Sequence, residues 1–169
     1  MTHHSYNGRD GYSEDSLLPL SGIQHIAFCE RQWALIHIER LWLDNVRTVE
    51  GHLMHERAHD SSLYEDDGDH ITMRAVPLVS RRLGLFGQAD VVEFWPVEDG
   101  ARGGARLLGH QGLWLPKPIE YKRGKPKSDD RDQVQLCAQA MCLEEMLGAK
   151  ITTADLYYGQ PRRRQRVPL

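Results

Sequence analysis

Cysteine is scarce in this chain of 169 residues. The three cysteines are Cys29, Cys137 and Cys142, and no two of them form a C-x-x-C pair. The chain by itself therefore shows neither a zinc ribbon nor a disulfide framework, and the low count fits a reduced compartment. Cys137 and Cys142 lie in an apolar stretch with helical spacing, which is typical of residues that fill a core.

Long apolar runs and an excess of basic charge are missing as well. No stretch approaches the roughly 20 apolar residues that span a bilayer, and the polar N-terminus lacks the basic-then-apolar pattern of a signal peptide. We therefore expect a cytoplasmic protein with no membrane contact. The formal net charge is −3, so any contact with DNA must come from local basic patches. Carboxylates that hold metal ions are part of that negative total.

The length and composition predict one domain behind a short tail. The hydrophobic content of 40% and the charged content of 27% are ordinary for a globular protein, and 169 residues can bury one moderate core. Residues 1–16 are rich in glycine, serine, histidine and aspartate, which is typical of a flexible tail. We predict a single domain over residues 17–169.

The spacing of apolar residues predicts a mixed α/β domain. A helix begins at Ser21, which together with Gln24 matches a capping box, and a second helix covers about 45–60. The elements predicted after Met73 are two strands joined near 82–84, a glycine-rich loop at 96–115, a strand at 118–123, a helix at 129–147 between Ser128 as cap and Gly148, and strands at 152–158 and 162–167. This order predicts a central mixed sheet flanked by helices.

Four short motifs follow one another along this pattern of elements. They are His55 closing G-x-x-x-H, Asp90 closing G-x-x-D near the end of a strand, Glu120 and Lys122 forming E-x-K, and Gln135 on the long helix. Each motif alone is a weak signal, since an E-x-K on a strand is usually an exposed ion pair and a G-x-x-D is usually a turn. Their order, element types and chemistry agree, which seldom arises by chance.

The residue types in these motifs suit a divalent-cation site. Because alternate residues of a strand share one face, Glu120 and Lys122 emerge side by side, and Asp90 lies next to Glu120 if the two strands pair. Two carboxylates and the imidazole of His55 form a hard ligand set that suits Mg²⁺ or Mn²⁺ better than zinc. Such ions polarise a scissile phosphate and activate a bound water. Lys122 can orient or deprotonate that water, or neutralise charge on the phosphate.

Further polar residues are candidates for contacts around this site. Gln135 and Gln139 lie one helical turn apart, on a face that we predict to be distinct from the apolar one, where a glutamine can bind a phosphate or hold a metal ligand. The basic residues expected to contact DNA are Lys117, Arg123, Lys125 and Lys127. The alternate arginines 162, 164 and 166 could track phosphates or protect a sheet edge.

Longer stretches of the chain carry a family resemblance. They cover residues 21–25, 28–32, 50–56, 86–90, 118–124 and 132–139. The set resembles the RecB-like branch of the PD-(D/E)xK nucleases. More narrowly, residues 18–169 resemble the fourth CRISPR-associated protein family, the RecB-type exonuclease of spacer acquisition.

The resemblance implies a fold, a site and a function. The expected fold is the RecB-like PD-(D/E)xK nuclease fold. The implied metal ligands are His55, Asp90, Glu120 and the backbone carbonyl of Tyr121, with Lys122 as the catalytic lysine. The expected activity is a two-metal deoxyribonuclease, dependent on Mn²⁺ or Mg²⁺, that trims single-stranded overhangs of prespacer DNA. Its expected partners are the CRISPR integrase and the small structural partner of the integrase.

The chain departs from the family pattern at two places. Many RecB-like nucleases have a tyrosine four residues after the motif glutamine, whereas Gln139 stands there in this chain, and we predict that it contacts DNA. The family usually carries a [4Fe–4S] cluster held by one N-terminal and three C-terminal cysteines. Cys29 matches the first ligand and nothing in the chain matches the other three, so we expect that the C-terminal iron–sulfur segment is missing.

Two alternatives remain open on the sequence. Residues 55–59 match H-E-x-x-H, the zinc-peptidase signature, in which His55 and His59 would bind the metal. A peptidase would leave the G-x-x-D, E-x-K and glutamine motifs unexplained. The other alternative is a non-catalytic DNA-binding scaffold with the same fold, which would be favoured if the site bound no metal.

Overall fold

In a computed structural model of the chain, which describes residues 6–7, 11–41, 65–98 and 102–169, most elements belong to one β-sheet. The strands are β1 (Tyr6–Asn7), β2 (Gly11–Tyr12), β3 (Leu18–Pro19), β4 (Glu65–Asp66), β5 (Ile71–Ser80), β6 (Leu85–Val97), β7 (Leu113–Lys122), β8 (Thr153–Tyr158) and β9 (Arg163–Pro168). The helices are α1 (Ser21–Phe28), α2 (Glu30–His37) and α3 (Arg131–Leu147). The helix predicted at about 45–60 lies outside the described residues, and with it His55 and His59.

The main sheet is mixed, as predicted. Its order is β4-β5-β6-β7-β8-β9, with β3 running parallel to β6. The pairs β5–β6, β6–β7 and β8–β9 are antiparallel, whereas β7 and β8 are parallel because α3 connects them. A mixed sheet with helices packed against it is compatible with a RecB-like nuclease fold. No helix in the described part of the chain is long and apolar enough to cross a membrane.

Helix α3 packs along the sheet and divides the core into two clusters. Leu136 packs with residues of β8 and β9, among them Leu156 and Val167. Cys142 and Leu143 belong to the larger cluster, which is formed with β5, β6 and α1. Gly148 ends the helix, as predicted, because its φ of 63° is a left-handed conformation that glycine adopts without strain.

The predicted helix caps are wrong. Ser21 already lies inside α1, and Leu20 is the cap residue, without a side-chain hydrogen bond. The amide of Gln24, which the capping box would use, donates instead to Oδ1 of Asp132 at 2.7 Å, since a buried carboxylate needs donors. The cap of α3 is Asp130 rather than Ser128.

The residues with helical spacing after Ser21 form two helices instead of the single helix that was predicted. The central strands are also longer than predicted. Cys29 has an extended backbone, with φ −165° and ψ 118°, and it separates α1 from α2. Strand β6 continues to Val97 and β7 begins at Leu113, so the two paired strands take up both ends of the loop predicted at 96–115. Pairing explains the extension because it satisfies backbone groups that a loop would leave to solvent.

Candidate active site

Two carboxylates meet at the centre of the sheet. Strands β6 and β7 pair through Val91 and Ile119, so Asp90 and Glu120 occupy the next position along both strands. The backbone N–H of Tyr121 donates to Oδ2 of Asp90 at 2.8 Å. Each of the two acidic residues is only 2% exposed. Asp90 lies in the middle of β6 and not near the end of a strand as predicted, because β6 extends well beyond it.

Glu120 is surrounded by donors from β7 and α3. Its Oε1 accepts hydrogen bonds from Nζ of Lys122 at 2.8 Å and from Nε2 of Gln135 at 2.9 Å, and its Oε2 accepts one from Nε2 of Gln139 at 2.6 Å. The ammonium of Lys122 also donates to Oε1 of Gln135 at 2.7 Å. We call these four side chains the Glu120 cluster. This cluster brings the E-x-K pair together with both glutamines, which lie one helical turn apart on α3.

Both glutamines are buried, which corrects the prediction that they lie on a face distinct from the apolar one. Gln139 is fully buried and Gln135 is 8% exposed, and their neighbours on α3, Leu136 and Leu143, are buried as well. The glutamines therefore share the buried side of the helix with apolar residues and do not lie on a distinct polar face. The amide nitrogen of Gln139 donates to Glu120, and the contact of Gln139 with DNA stays a prediction. The physical reason for the burial of both glutamines is the need of a buried carboxylate for donors.

Burial raises the pKa of Glu120, and the nearby charge of Asp90 raises it further. The charge of Lys122 and the hydrogen bonds from Lys122 and Gln139 act in the opposite direction but are outweighed. A carboxyl with a raised folded-state pKa contributes stability at low pH, and this contribution is lost as the pH rises through the folded pKa. The ionised form of Glu120 is therefore a cost to the folded state, and a bound cation would relieve it.

Glu120→Gln is expected to raise the thermal stability of the metal-free protein at neutral pH, because it removes a buried charge and keeps the shape of the side chain. Calorimetry should show an increase in Tm of about 2 °C or more. The difference should shrink as the pH falls through the raised pKa, where Glu120 becomes neutral. Glu145→Gln is the matched control, since the pKa of Glu145 is lowered, and its Tm should fall. A lower Tm for Glu120→Gln at every pH would contradict the prediction.

The donor set fits a hard cation. In the ranges that the structure describes, no three His, Cys, Asp or Glu side chains lie close enough to hold a metal ion. Those ranges supply Asp90 and Glu120, while His55 lies outside them. Beside Glu120, Oε1 of Gln139 is buried and has no hydrogen-bond partner. Two buried carboxylates and an unsatisfied oxygen are chemically suited to a cation such as Mg²⁺ or Mn²⁺, or to water bound to it.

Lys117 does not flank the Glu120 cluster, contrary to the prediction. Alternation along β7 places it on the other face of the sheet. There its Nζ lies 2.5 Å from Oδ2 of Asp155, and its side chain is 15% exposed. Arg164 lies on the same side, 2.7 Å from Oε1 of Glu93. Buried carboxylates on this second face therefore engage Lys117, which the sequence assigned to DNA, and Arg164, for which phosphate contact was one of two open interpretations.

The basic residues after β7 remain next to the site. Arg123 follows Lys122 directly, Lys125 comes two residues later, and Lys125 and Lys127 are exposed. The ammonium of Lys127 lies 3.0 Å from Oδ1 of Asp132, at the start of α3. The loop after β7 thus presents positive charge at the edge of the Glu120 cluster.

Asp132 is a site residue that the sequence analysis missed. It is fully buried, and its Oδ1 accepts hydrogen bonds from Nε2 of Gln24 and Nζ of Lys127, while its Oδ2 accepts one from the hydroxyl of Tyr158 at 3.3 Å. Burial, followed by the charge of Asp132, raises the pKa of Tyr158 to about 12. Asp132 thereby connects three elements to the helix that carries the glutamines. They are α1, strand β8 and the loop that follows β7. Its spacing of three residues from Gln135 was the available signal.

The three cysteines have different environments. Cys29 is exposed at the junction of α1 and α2. Cys142 is buried, as predicted for a core residue, and burial raises the pKa of its thiol to about 11. Cys137 is half-buried.

Carboxylates and a lysine on paired central strands, beneath a helix that carries glutamines, are the arrangement expected of a RecB-like nuclease domain. The chain is 29% identical over 164 residues, 90% of its length, to a Geobacter sulfurreducens protein described as "CRISPR-associated exonuclease Cas4/endonuclease Cas1 fusion". A Leptospira interrogans protein with the same description is 26% identical over 144 residues, 81% of the chain. These likenesses support a Cas4-like family for this chain. The chain spans about a quarter of each relative, 25% and 23%, and no family model matches it.

Proposed function

We propose that this chain is a divalent-cation-dependent deoxyribonuclease that trims single-stranded DNA overhangs of prespacers during CRISPR spacer acquisition. The observation that carries the proposal is the position of the Lys122 ammonium, 2.8 Å from Glu120 and 2.7 Å from Gln135. A lysine that is only 13% exposed and aimed at a buried carboxylate is poorly explained as a surface ion pair. The printed names of the two relatives, which describe a CRISPR-associated exonuclease, support the same class of reaction.

Each residue of the site has a role in this proposal. Asp90 and Glu120 would hold Mn²⁺ or Mg²⁺, together with His55 and the carbonyl of Tyr121 as the sequence resemblance implies. When bound, such ions polarise the scissile phosphate and lower the pKa of a coordinated water. Within the Glu120 cluster, Gln135 and Gln139 fix the orientation of the carboxylate. Lys122 then acts on the attacking water or on the charge that develops at the phosphate.

The proposed partners follow from the names of the relatives and from the sequence resemblance. Both relatives are described as fusions with the endonuclease Cas1. We therefore propose that the chain works beside the CRISPR integrase, with the small structural partner of the integrase in the same assembly. Lys125 and Lys127, in the exposed loop beside the Glu120 cluster, would contact the phosphates of the overhang.

The activity test compares DNA and protein substrates under controlled metal conditions. The chain, freed of metal with a chelator, is incubated with labelled single-stranded DNA, with a duplex carrying an overhang and with casein, and Mn²⁺, Mg²⁺ or Zn²⁺ is then added. Cleavage of the single-stranded regions with Mn²⁺ or Mg²⁺ is the expected result. Casein hydrolysis with Zn²⁺ would favour the peptidase alternative. DNA binding without cleavage under every metal condition would favour a scaffold.

An iron–sulfur cluster is a separate proposal, for which the described residues supply one ligand. We propose that Cys29, exposed at the junction of two helices, is the cysteine that this chain contributes. Cys142 does not fit such a site, because it is buried in the apolar core and the raised pKa of its thiol disfavours the thiolate that binds iron.

The chain alone is expected to hold no stoichiometric four-iron cluster after anaerobic reconstitution, because one suitable cysteine cannot replace four. Iron content and visible absorbance measure this directly. In a longer protein that supplies the remaining cysteines, Cys29→Ser should bleach the cluster and Cys137→Ser should leave it intact. A full four-iron complement in the 169-residue chain would contradict the expectation.

A further inference from the structure

A small pocket opens between the loop after β7 and the turn that joins β8 to β9. Its volume is about 250 Å³, and its lining residues are Pro126, Tyr158, Pro161, Arg163 and Gln165. Cavities of roughly 150 Å³ already accept a benzene ring, so one aromatic heterocycle fits by size. Two proline rings and a tyrosine ring provide flat apolar walls for such a ring.

The pocket lies in line with the Glu120 cluster. Lys122 is the register partner of Tyr158, and Tyr158 is the register partner of Arg163, so the three residues form one row across β7, β8 and β9 on the same face of the sheet. Neighbouring strands are about 4.8 Å apart, which places the backbone of Arg163 roughly 10 Å from that of Lys122. This distance corresponds to about three stacked nucleotides of a single strand, or fewer if the strand is extended.

Backbone hydrogen bonds fix the pocket relative to the site. The N–H of Gly159 donates to the carbonyl of Lys122 at 2.7 Å, and the N–H of Gln160 donates to the carbonyl of Gly124 at 3.4 Å. The hydroxyl of Tyr158 is committed to Asp132, which also holds Lys127. The tyrosine wall of the pocket and Lys127 of the basic loop are therefore held by the same buried carboxylate.

Two polar side chains at the pocket are available to a ligand. Arg163 and Gln165 are exposed, and within the described ranges neither side chain takes part in a hydrogen bond or an ion pair. Arg164, by contrast, is turned to the opposite face, where it pairs with Glu93. Flat apolar walls with free donors at the rim are the features that recognise an unstacked base, through its ring and its edge.

We propose that this pocket is a subsite for one nucleobase of the single-stranded substrate, roughly two to three nucleotides from the phosphate that is cleaved at Lys122. The base stacks between Pro126 and Pro161, and Arg163 and Gln165 bind its edge. The subsite rests on the proposed nuclease function and adds to it, because it makes binding depend on a base at a defined position of the strand.

Abasic substitution tests the subsite. A set of labelled single strands carries one abasic nucleotide at successive positions along the strand, and binding to the chain is measured by fluorescence anisotropy with a chelator present. Stacking of one base is worth about 1–3 kcal/mol, so affinity should fall roughly tenfold at one position, two or three nucleotides from the cleavage point. Equal affinity for all members of the set would overturn the subsite.

Two arginine variants of β9 separate the subsite from general charge attraction. Arg163→Ala should weaken binding of the intact strand several-fold and lose much of the sensitivity to the abasic position. Arg166→Ala removes the same charge from the opposite face, where Arg166 lies 3.8 Å from Asp155, and should keep the full abasic profile. Gln165→Ala, which leaves the charge unchanged, should also flatten the profile. Identical behaviour of the two arginine variants would overturn the assignment.

The outcome for the subsite can be distinguished from the outcome for the proposed function. Cleavage of the unmodified strand by the wild-type chain with Mn²⁺ tests the nuclease, whereas the abasic profile is recorded without metal and without cleavage. Cleavage together with a flat abasic profile would reject the subsite and keep the nuclease. A sharp profile without cleavage under any metal condition would keep the base subsite and reject the nuclease.

Discussion

Asp90→Asn and Glu120→Gln should each lower the rate of DNA cleavage by about a thousandfold or more. Both substitutions keep the shape of the side chain and remove an anionic oxygen from a site that fits a hard cation. The two carboxylates are adjacent in the β6–β7 register and almost fully buried, so no neighbouring surface carboxylate can replace either one. Single-turnover cleavage of labelled single-stranded DNA at saturating Mn²⁺ measures the effect.

Asp90→Asn and Glu120→Gln should weaken metal binding as well as lower the rate of DNA cleavage. Calorimetric titration with Mn²⁺ is expected to show weaker binding in both variants. Glu93→Gln is the matched control, since Glu93 is a buried carboxylate of the same strand whose partners are Arg164 and Trp95 on the other face. That control should cleave DNA at the wild-type rate once its folding has been verified by calorimetry. Full activity of Asp90→Asn or Glu120→Gln would refute the metal site.

The parts of the site that could be predicted from the sequence are those governed by local geometry. Glu120 and Lys122 share a face because every strand alternates with a period of two, whatever surrounds it. The one-turn spacing of Gln135 and Gln139 follows in the same way from the helix. The order of strands and the long helix along the chain after Met73 could be predicted because apolar spacing reports the side of each element that is buried.

The parts that could not be predicted depend on contacts between distant segments. Gln139 is buried because α3 docks its amide onto Glu120, and a glutamine at helical spacing does not carry that information. Lys117 was assigned to DNA because it lies close to Glu120 along the chain, but the pairing of β7 with β8 brings Asp155 to it. Gln24 was assigned to a capping box because that motif is defined by near neighbours in the sequence. Its hydrogen-bond partner in the structure, Asp132, is 108 residues away.

The same long-range contacts place Glu120 where its ionised form is unfavourable to the folded state. Burial of Glu120 beside Asp90 raises the pKa of Glu120 and opposes its ionisation. The donors of Lys122, Gln135 and Gln139 offset part of that cost and hold the carboxylate in one orientation. An ionised, oriented carboxylate that still lacks full compensation favours the binding of a cation.

Lys122→Met should lower kcat for DNA cleavage by roughly a thousandfold while changing the affinity for DNA less than about threefold. The ammonium of Lys122 is directed into the protein, at Glu120 and Gln135, and therefore contributes little to the surface field that attracts the strand. A group that acts mainly in the transition state lowers kcat without weakening ground-state binding. The assay uses saturating Mn²⁺, because loss of the lysine charge further raises the pKa of Glu120 and thereby weakens the metal site.

Lys127→Met is the matched comparison, since Lys127 presents its charge in the exposed loop beside the same site. It should weaken DNA binding several-fold, reduce the dependence of binding on salt, and leave kcat close to that of the wild type. Lys122→Arg separates the two roles proposed for Lys122. A guanidinium retains the charge but does not give up its proton, so substantial recovery of kcat would indicate charge neutralisation at the phosphate, and no recovery would favour proton transfer. If Lys122→Met instead loses DNA affinity and keeps its turnover at saturating DNA, Lys122 is an electrostatic contact and the catalytic assignment fails.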